Sequence, residues 1–332
     1  MRKIAGLFMA LTALGQTPPA GEPGGGALAL VRFQVAPQKG GPAGELQPQD
    51  VEIREDGVTR KVVVLEGGTI KQREIPIEIS LLFDCTRSAL SSGTLSPRVF
   101  HEALLDEFPN VSISVYGFAP GLSRLATPTR DQAQLAKALE APLLVHPLST
   151  FLMDHVSRVM IDAASNPGAA VRMIVAVSTG KTDDGASSET QMDERYKRAV
   201  GIAQQSNLAA FPVVLTVPLA SQDSTPTPAA PRASRVAGPQ IGNSEITAST
   251  LMRAAGNFAN LGAVTGGKRF DVLSAGNMLT SILKWLADEI RSEYVAGFEV
   301  AASRDKKRHK IEVIMRNKDR GRVSTGALSL VY

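Results

Sequence analysis

The chain is poor in the residues that usually announce a function. Cysteine occurs once, at Cys85. That excludes an intrachain disulfide, so the fold must be held by its core alone. Aromatic residues make up 5% of the 332 residues against 43% hydrophobic overall, so the core must be mostly aliphatic. The four histidines, His101, His146, His155 and His309, are scattered, and none has metal-ligand spacing to another. Neither a GxSxG elbow nor an HExxH helix motif occurs, and nothing assembles a nucleophile, a base and an oxyanion hole. No enzymatic activity is therefore expected. No stretch reaches the roughly 18 apolar residues a membrane-spanning helix needs, so no membrane span is expected. Net charge is only +4. Segment 304–322 holds nine Lys or Arg against three acids, a local excess of six, which leaves the rest of the chain close to neutral. A nucleic-acid partner is not expected from such a distribution. The basic segment reads either as a charged hairpin that discourages sheet-to-sheet aggregation or as a polyanion or membrane-surface site.

What is present begins with a secretory pattern. Arg2 and Lys3 precede a short apolar run, Ile4 to Leu14, and QTPPAGEPGGG follows at once. Cleavage is expected after Ala13-Leu14-Gly15 or after Ala20, giving a signal peptide over 1–20 and export to the periplasm or beyond. A buried N-terminal helix is the competing reading. From 27 to 72 the period-two stretches ALALVRFQV, DVEIRE and RKVVVLE read as strands, with a turn at 55–57. From residue 73 to 293 apolar strands alternate with helices of i, i+3, i+4 spacing. This pattern predicts an α/β fold with a mostly parallel central sheet covered by helices on both faces. Residues 220–248, rich in Pro, Ser, Ala and Gly, read as a flexible insertion. The helix NMLTSILKWLADEIRSEY places Leu279, Ile282, Leu283, Leu286 and Ile290 on one face. The end of the chain, 294–332, is β again, and it is expected to pack with 27–72 as one sheet or sandwich, since each piece is too short for a core of its own.

Two glycine-rich stretches imitate phosphate loops. In VSTGKTDDG the first glycine of the motif would fall at Val175, inside a strand. In GAVTGGKR the position of the Mg-binding hydroxyl is Arg269, and a helix rather than a strand precedes it. Nucleotide hydrolysis is not expected.

The informative stretch is LLFDCTRSAL, residues 81–90. An apolar strand ends in Asp84, Thr86 and Ser88, spaced D-x-T-x-S, with Cys85 between as a buried, inert thiol facing the other way. The carboxyl ends of parallel strands are where open α/β sheets bind ligands. One carboxylate with several hydroxyls suits a hard cation. STFLMD, at 149–154, offers Thr150 at the start of a helix.

This ordered set resembles the von Willebrand factor type A domain, whose metal-ion-dependent adhesion site (MIDAS) draws D-x-S-x-S, a Thr and an Asp from three loops. ELQPQDVEIREDGVTRKVVVLEGG before the domain, and SEYVAGFEV with KKRHKIEVIM after it, are similar to the flanks of a type-A-related group of exported bacterial proteins. The resemblance implies a protein-binding or adhesion-type module. Asp84, Thr86, Ser88 and Thr150 would ligate Mg²⁺, or Mn²⁺ or Ca²⁺, and a partner protein would offer a carboxylate. It also marks a departure: Thr179 stands where the family has Asp, so the site loses a charge that Asp183 or Asp184 would have to replace. The other reading is a degenerate site in a metal-independent scaffold or assembly protein, with Asp84 and the hydroxyls satisfying backbone groups.

Overall fold

A computed structural model describes residues 27–36, 45–68, 73–85, 98–118, 121–140, 151–166, 168–180, 188–215, 248–272, 278–300, 307–324 and 329–331. The signal-like N-terminus, the insertion at 220–248 except for Ala248, which begins a helix, and Thr86, Ser88, Thr150, Asp183 and Asp184 lie outside them.

The apolar runs become a six-stranded sheet. Its strands are β5 (Ile77–Asp84), β6 (Val111–Phe118), β7 (Leu122–Thr129), β8 (Val171–Ser178), β9 (Leu208–Leu215) and β10 (Phe270–Val272). Their order is β10-β9-β8-β5-β6-β7. All neighbours are parallel except β7, which pairs antiparallel with β6 at the edge. Strands β5 and β8 are buried along nearly their whole length, as a sheet covered on two faces requires. One face carries α1 (Arg98–Phe100, running into a π turn at His101–Leu105), α2 (Gln132–Glu140) and α6 (Met278–Ser292). The other carries α3 (Leu152–Ala164), α4 (Glu189–Gln205) and α5 (Ala248–Thr265). The mostly parallel sheet with helices on both faces is thus the one the sequence pattern predicts. Counted from β5, the order is the doubly wound one, with its reversal point between β5 and β8.

The expected apolar face of α6 is buried, from Leu279 to Ile290, and Trp285 packs at its edge, stacked on Phe270 with ring centroids 4.6 Å apart.

The flanking β segments form a two-sheet sandwich. One sheet has the order β13-β1-β11-β4 and the other β14-β12-β2-β3. Here β1 is Ala27–Ala36, β2 Val51–Glu55, β3 Val58–Arg60, β4 Val62–Gly67, β11 Glu293–Val300, β12 Arg308–Met315, β13 Arg322–Ser324 and β14 Ser329–Val331. Val31, Phe33, Ile53, Ala296, Phe298 and Ile311 meet between the sheets. In β1 the alternate residue Leu30 points the other way, into the α/β core, together with Val295 of β11. One sheet is therefore covered on both faces, and it joins the sandwich to the helical unit. Arg32 reinforces that joint: its guanidinium pairs with the Glu293 carboxylate and lies over the Phe211 ring at 5.6 Å.

The structure departs from the sequence expectation in two elements. RKVVVLE is not one strand. The chain leaves the β2–β3 hairpin at Lys61 and crosses to the other sheet, where β4 pairs with β11. GLSRLATPT, which shows no clear period, forms the antiparallel edge strand β7.

The glycine-rich decoy at 262–269 has a packing role. A Cβ on Gly267 would lie 1.9 Å from the Ala210 carbonyl oxygen, and Lys268 pairs with Glu289 at 2.9 Å. In the basic segment, Arg316 faces Glu52 at 3.6 Å, Arg320 faces Asp50 at 3.5 Å, and Lys310 pairs with Glu312 at 2.7 Å. Those cations are engaged within the sandwich.

Candidate functional site

Asp84 is the last residue of β5, and Ser178 is the last residue of β8, the neighbouring strand across the reversal point. The helices that follow these two strands, α1 and α4, lie on opposite faces of the sheet, the arrangement that opens a crevice at the carboxyl ends of the strands. Both side chains are buried there, Asp84 at 4% exposure and Ser178 at 1%. The Ser178 hydroxyl donates to Asp84 Oδ2 at 2.7 Å. The Gly180 N–H in turn donates to Ser178 Oγ at 3.1 Å. The carboxylate is thus held from below by a hydroxyl that is itself fixed by the turn.

The turn needs its glycine. Gly180 has φ of +68°, and a Cβ there would stand 3.3 Å from both Ala255 Cα and Phe258 Cδ1 of α5. The S-T-G sequence after β8 therefore packs tightly under a helix while Thr179, also buried, stays beside the crevice.

On the other side of β5, Asp84 is in register with Phe118, and the Cys85 N–H donates to the Phe118 carbonyl at 2.7 Å. Pleat alternation sends Cys85 to the opposite face, into the α6-side core. Burial, with the Asp84 charge adding to it, pushes the Cys85 thiol up to about 12, so the thiolate needed for nucleophilic chemistry is negligible at neutral pH.

Helix α3 covers the Asp84 face of the sheet. Its Leu152, Val156, Val159 and Met160 pack on Leu82, Tyr116 and Phe118. Asp154 is tied to α4 by Arg195 at 3.2 Å, and Arg195 lies over the Phe151 ring at 4.3 Å. His155, on the buried side of α3, sits against Phe118 with ring centroids 5.1 Å apart. It is 5% exposed, and neither ring nitrogen has a hydrogen-bond partner. Burial, reinforced by Arg158, holds the imidazole below its ordinary pKa, while the Asp154 and Asp84 carboxylates pull the other way.

Of the sequence candidates, the structure places Asp84 and Thr179 at one crevice. Thr86, Ser88 and Thr150 lie outside the described residues. Ser178 joins them at the crevice, and His155 lies on the same face of the sheet against Phe118. Ser178 carried a signal: it is the one hydroxyl in the otherwise apolar strand VRMIVAVS beyond Arg172. His155 carried none, because its place on the Asp84 face of the sheet arises only from the packing of α3 on β6.

The described donors at the crevice are oxygens: one carboxylate and the hydroxyls of Ser178 and Thr179. Such a set fits a hard divalent cation, with a single formal negative charge to hold it. On the same face of the sheet, His155 keeps both ring nitrogens buried without a hydrogen-bond partner.

Several solved structures are similar to the chain at low identity. The chain is similar to the vWF domain of the type V pili tip protein Mfa5 from Porphyromonas gingivalis, at 11% identity, over 66% of this chain and 96% of that one, with a TM-score of 0.42. It is similar to BatB from Bacteroides thetaiotaomicron at 14% identity, over 64% and 98%, with a TM-score of 0.39. It is also similar to the PilB minor pilin from Streptococcus sanguinis at 11% identity, over 67% of this chain and 62% of that one, with a TM-score of 0.43. No family model matches the chain, and no curated protein matches it. At these identities and scores the fold rests on the chain's own strand order and directions.

Proposed function

We propose that this chain is an exported protein-binding module that holds its partner through a divalent cation at the carboxyl rim of the six-stranded sheet. The observation that carries the reading is the buried Asp84 carboxylate at the reversal point, braced by Ser178. Burying a carboxylate is costly, and folds keep such a group where a cation or a set of hydrogen bonds uses it. Asp84 would supply the charged ligand, with Thr86, Ser88 and Thr150 completing the set that the family resemblance implies. An open position on the ion would take a carboxylate of the partner protein. Bound there, the cation contributes electrostatic attraction for that carboxylate; the chain contributes its position, at the end of a rigid strand. Among the described residues no helix is long and apolar enough to cross a membrane.

One observation favours the second reading, a metal-independent extracytoplasmic scaffold. Asp84 Oδ2 already accepts the Ser178 hydroxyl, and Thr179 brings no charge.

A thermal melt of residues 21–332 separates the two. At about 100 times its dissociation constant, Mg²⁺ or Mn²⁺ should add about 2.7 kcal/mol relative to EDTA. The expected result is a midpoint shift of several degrees in the wild type and none in Asp84→Ala. An unshifted wild type would favour the scaffold.

A further inference from the structure

We propose that Glu55, Asp56 and His309 form a second cation site, for Zn²⁺ or a similar borderline ion, where β2 turns into β3 at the end of the sandwich. The site belongs to a different sheet from Asp84 and does not depend on the reading given above.

Strand alternation brings the first two residues together. Val51 and Ile53 of β2 and Ile311 and Met315 of β12 are buried in the sandwich core, and Glu55 and His309 continue those two rows by the period of two. Where the rows reach the turn, the apolar series stops. A carboxylate and an imidazole stand in its place, with side chains only 4% and 16% exposed. A valine at either position would extend the row without the cost of sheltering a charge. The third residue comes from the turn itself. Asp56 and Gly57 have φ of +49° and +83°, as a two-residue Asp-Gly hairpin loop favours. The turn is fixed against β12: the Asp56 N–H donates to the Lys310 carbonyl at 2.9 Å, and Asp56 Oδ1 accepts from the Lys310 N–H at 2.8 Å.

Each carboxylate is anchored by one oxygen and turns the other toward the ring. Glu55 Oε2 accepts from Arg60 at 2.5 Å, and Glu55 Oε1 stands 3.1 Å from His309 Nδ1. Asp56 Oδ1 is held by the Lys310 amide, and Asp56 Oδ2 stands 2.9 Å from the same Nδ1. That nitrogen carries at most one proton, so it gives a full hydrogen bond to only one of the two oxygens. An ion in place of the proton serves all three atoms. Zinc bonds of about 2.0–2.1 Å at tetrahedral angles put neighbouring ligand atoms about 3.3 Å apart. One ligand atom from each of the three residues already lies within 4.8 Å of the others, so small side-chain movements admit the ion. The anchored oxygens supply the outer-shell bonds that orient ligating carboxylates. Two carboxylate oxygens and an imidazole suit Zn²⁺, whereas Mg²⁺ and Ca²⁺ take oxygen sets. A water fills the fourth position. Bound there, the ion ties the β2–β3 hairpin to β12.

The test is calorimetric titration of Zn²⁺ into the protein after EDTA treatment and dialysis, alone and with Mg²⁺ in excess. Wild type, His309→Gln, Glu55→Gln, Asp56→Asn and Asp84→Ala are compared, and a far-UV spectrum of each shows that it is folded. His309→Gln and the two amide variants keep the size of the side chains they replace. The expected result is one Zn²⁺ per chain that Mg²⁺ does not displace, bound equally by wild type and Asp84→Ala. Each of the three hairpin variants should weaken it at least about tenfold. The wild-type melting midpoint should also rise in Zn²⁺, and the rise should vanish in those three variants. If the wild type takes up no Zn²⁺, the three residues are an ion-pair cluster and the inference is overturned. If the hairpin variants bind Zn²⁺ as the wild type does, the ion is adventitious there and the inference is overturned. If binding is lost in Asp84→Ala and kept in the hairpin variants, the ion sits at the sheet rim; this inference is then overturned while the reading of Asp84 stands.

Discussion

At the residue scale the crevice turns on a chain of two hydrogen bonds, from the Gly180 N–H to Ser178 and from Ser178 to Asp84. Replacing Ser178 by alanine removes the donor and leaves a buried carboxylate oxygen short of a partner. Such a loss costs about 1–3 kcal/mol, more for a charged group. Urea denaturation of Ser178→Ala should therefore show a lower midpoint with an unchanged slope. Ser178→Thr, which keeps the hydroxyl, should recover most of the loss; an alanine variant as stable as the wild type would show that the bond does not hold the carboxylate. Asp84 was legible in the sequence because a strand that ends in an acid and alternating hydroxyls has no apolar explanation. Ser178 was half-legible, a hydroxyl at the end of an apolar run, overshadowed by the Thr179 departure next to it. His155 was not legible, since its meaning depends on which face of α3 meets which strand, and that is a tertiary fact.

At the scale of elements, the helices and central strands were readable because a buried face leaves a period. Helix α6 shows it most fully, and a core cut there has a calculable price: Leu283, fully buried, should cost about 2–5 kcal/mol as alanine. Lys284, on the exposed face of the same turn, should stay within about 0.5 kcal/mol. Equal effects at the two positions would mean that the helix is not seated on the sheet as described. The elements that escaped did so where the period is absent. In β7 only Ala126 is buried, Pro128 interrupts the strand, and its register with β6 shifts twice, so no alternation survives in LSRLATPT. An edge strand needs no second apolar face, and it therefore writes little into the sequence. The split of RKVVVLE at Lys61 was hidden for the opposite reason. The stretch is β throughout, and nothing local distinguishes a strand that stays in its sheet from one that changes sheet.

At the scale of the whole molecule, the sandwich joins residues 27–67 to residues 293–331, segments that meet only because the α/β unit between them returns the chain to its start. The sequence indicated the pairing through the shortness of each piece. It could not indicate that one sheet would be covered on both faces. Leu30 and Val295 enter the α/β core while Val31 and Ala296, their neighbours in the chain, enter the sandwich core. The Asn207 side chain also donates to the Leu30 carbonyl at 2.6 Å. Two cores sharing a sheet in this way should unfold together. Trp285, the chain's one tryptophan, reports on the α/β unit and stands away from the sandwich core. Phe298→Ala, deep in the sandwich, should cost about 3–5 kcal/mol. If the molecule is one cooperative unit, the melting midpoint read from Trp285 fluorescence falls with it, because no intermediate keeps the α/β core while losing the sheet that covers it. If the Trp285 midpoint stays at its wild-type value while the far-UV transition splits, the sandwich opens on its own. In that case the carboxyl rim of the sheet would keep its geometry independently of the flanking β module.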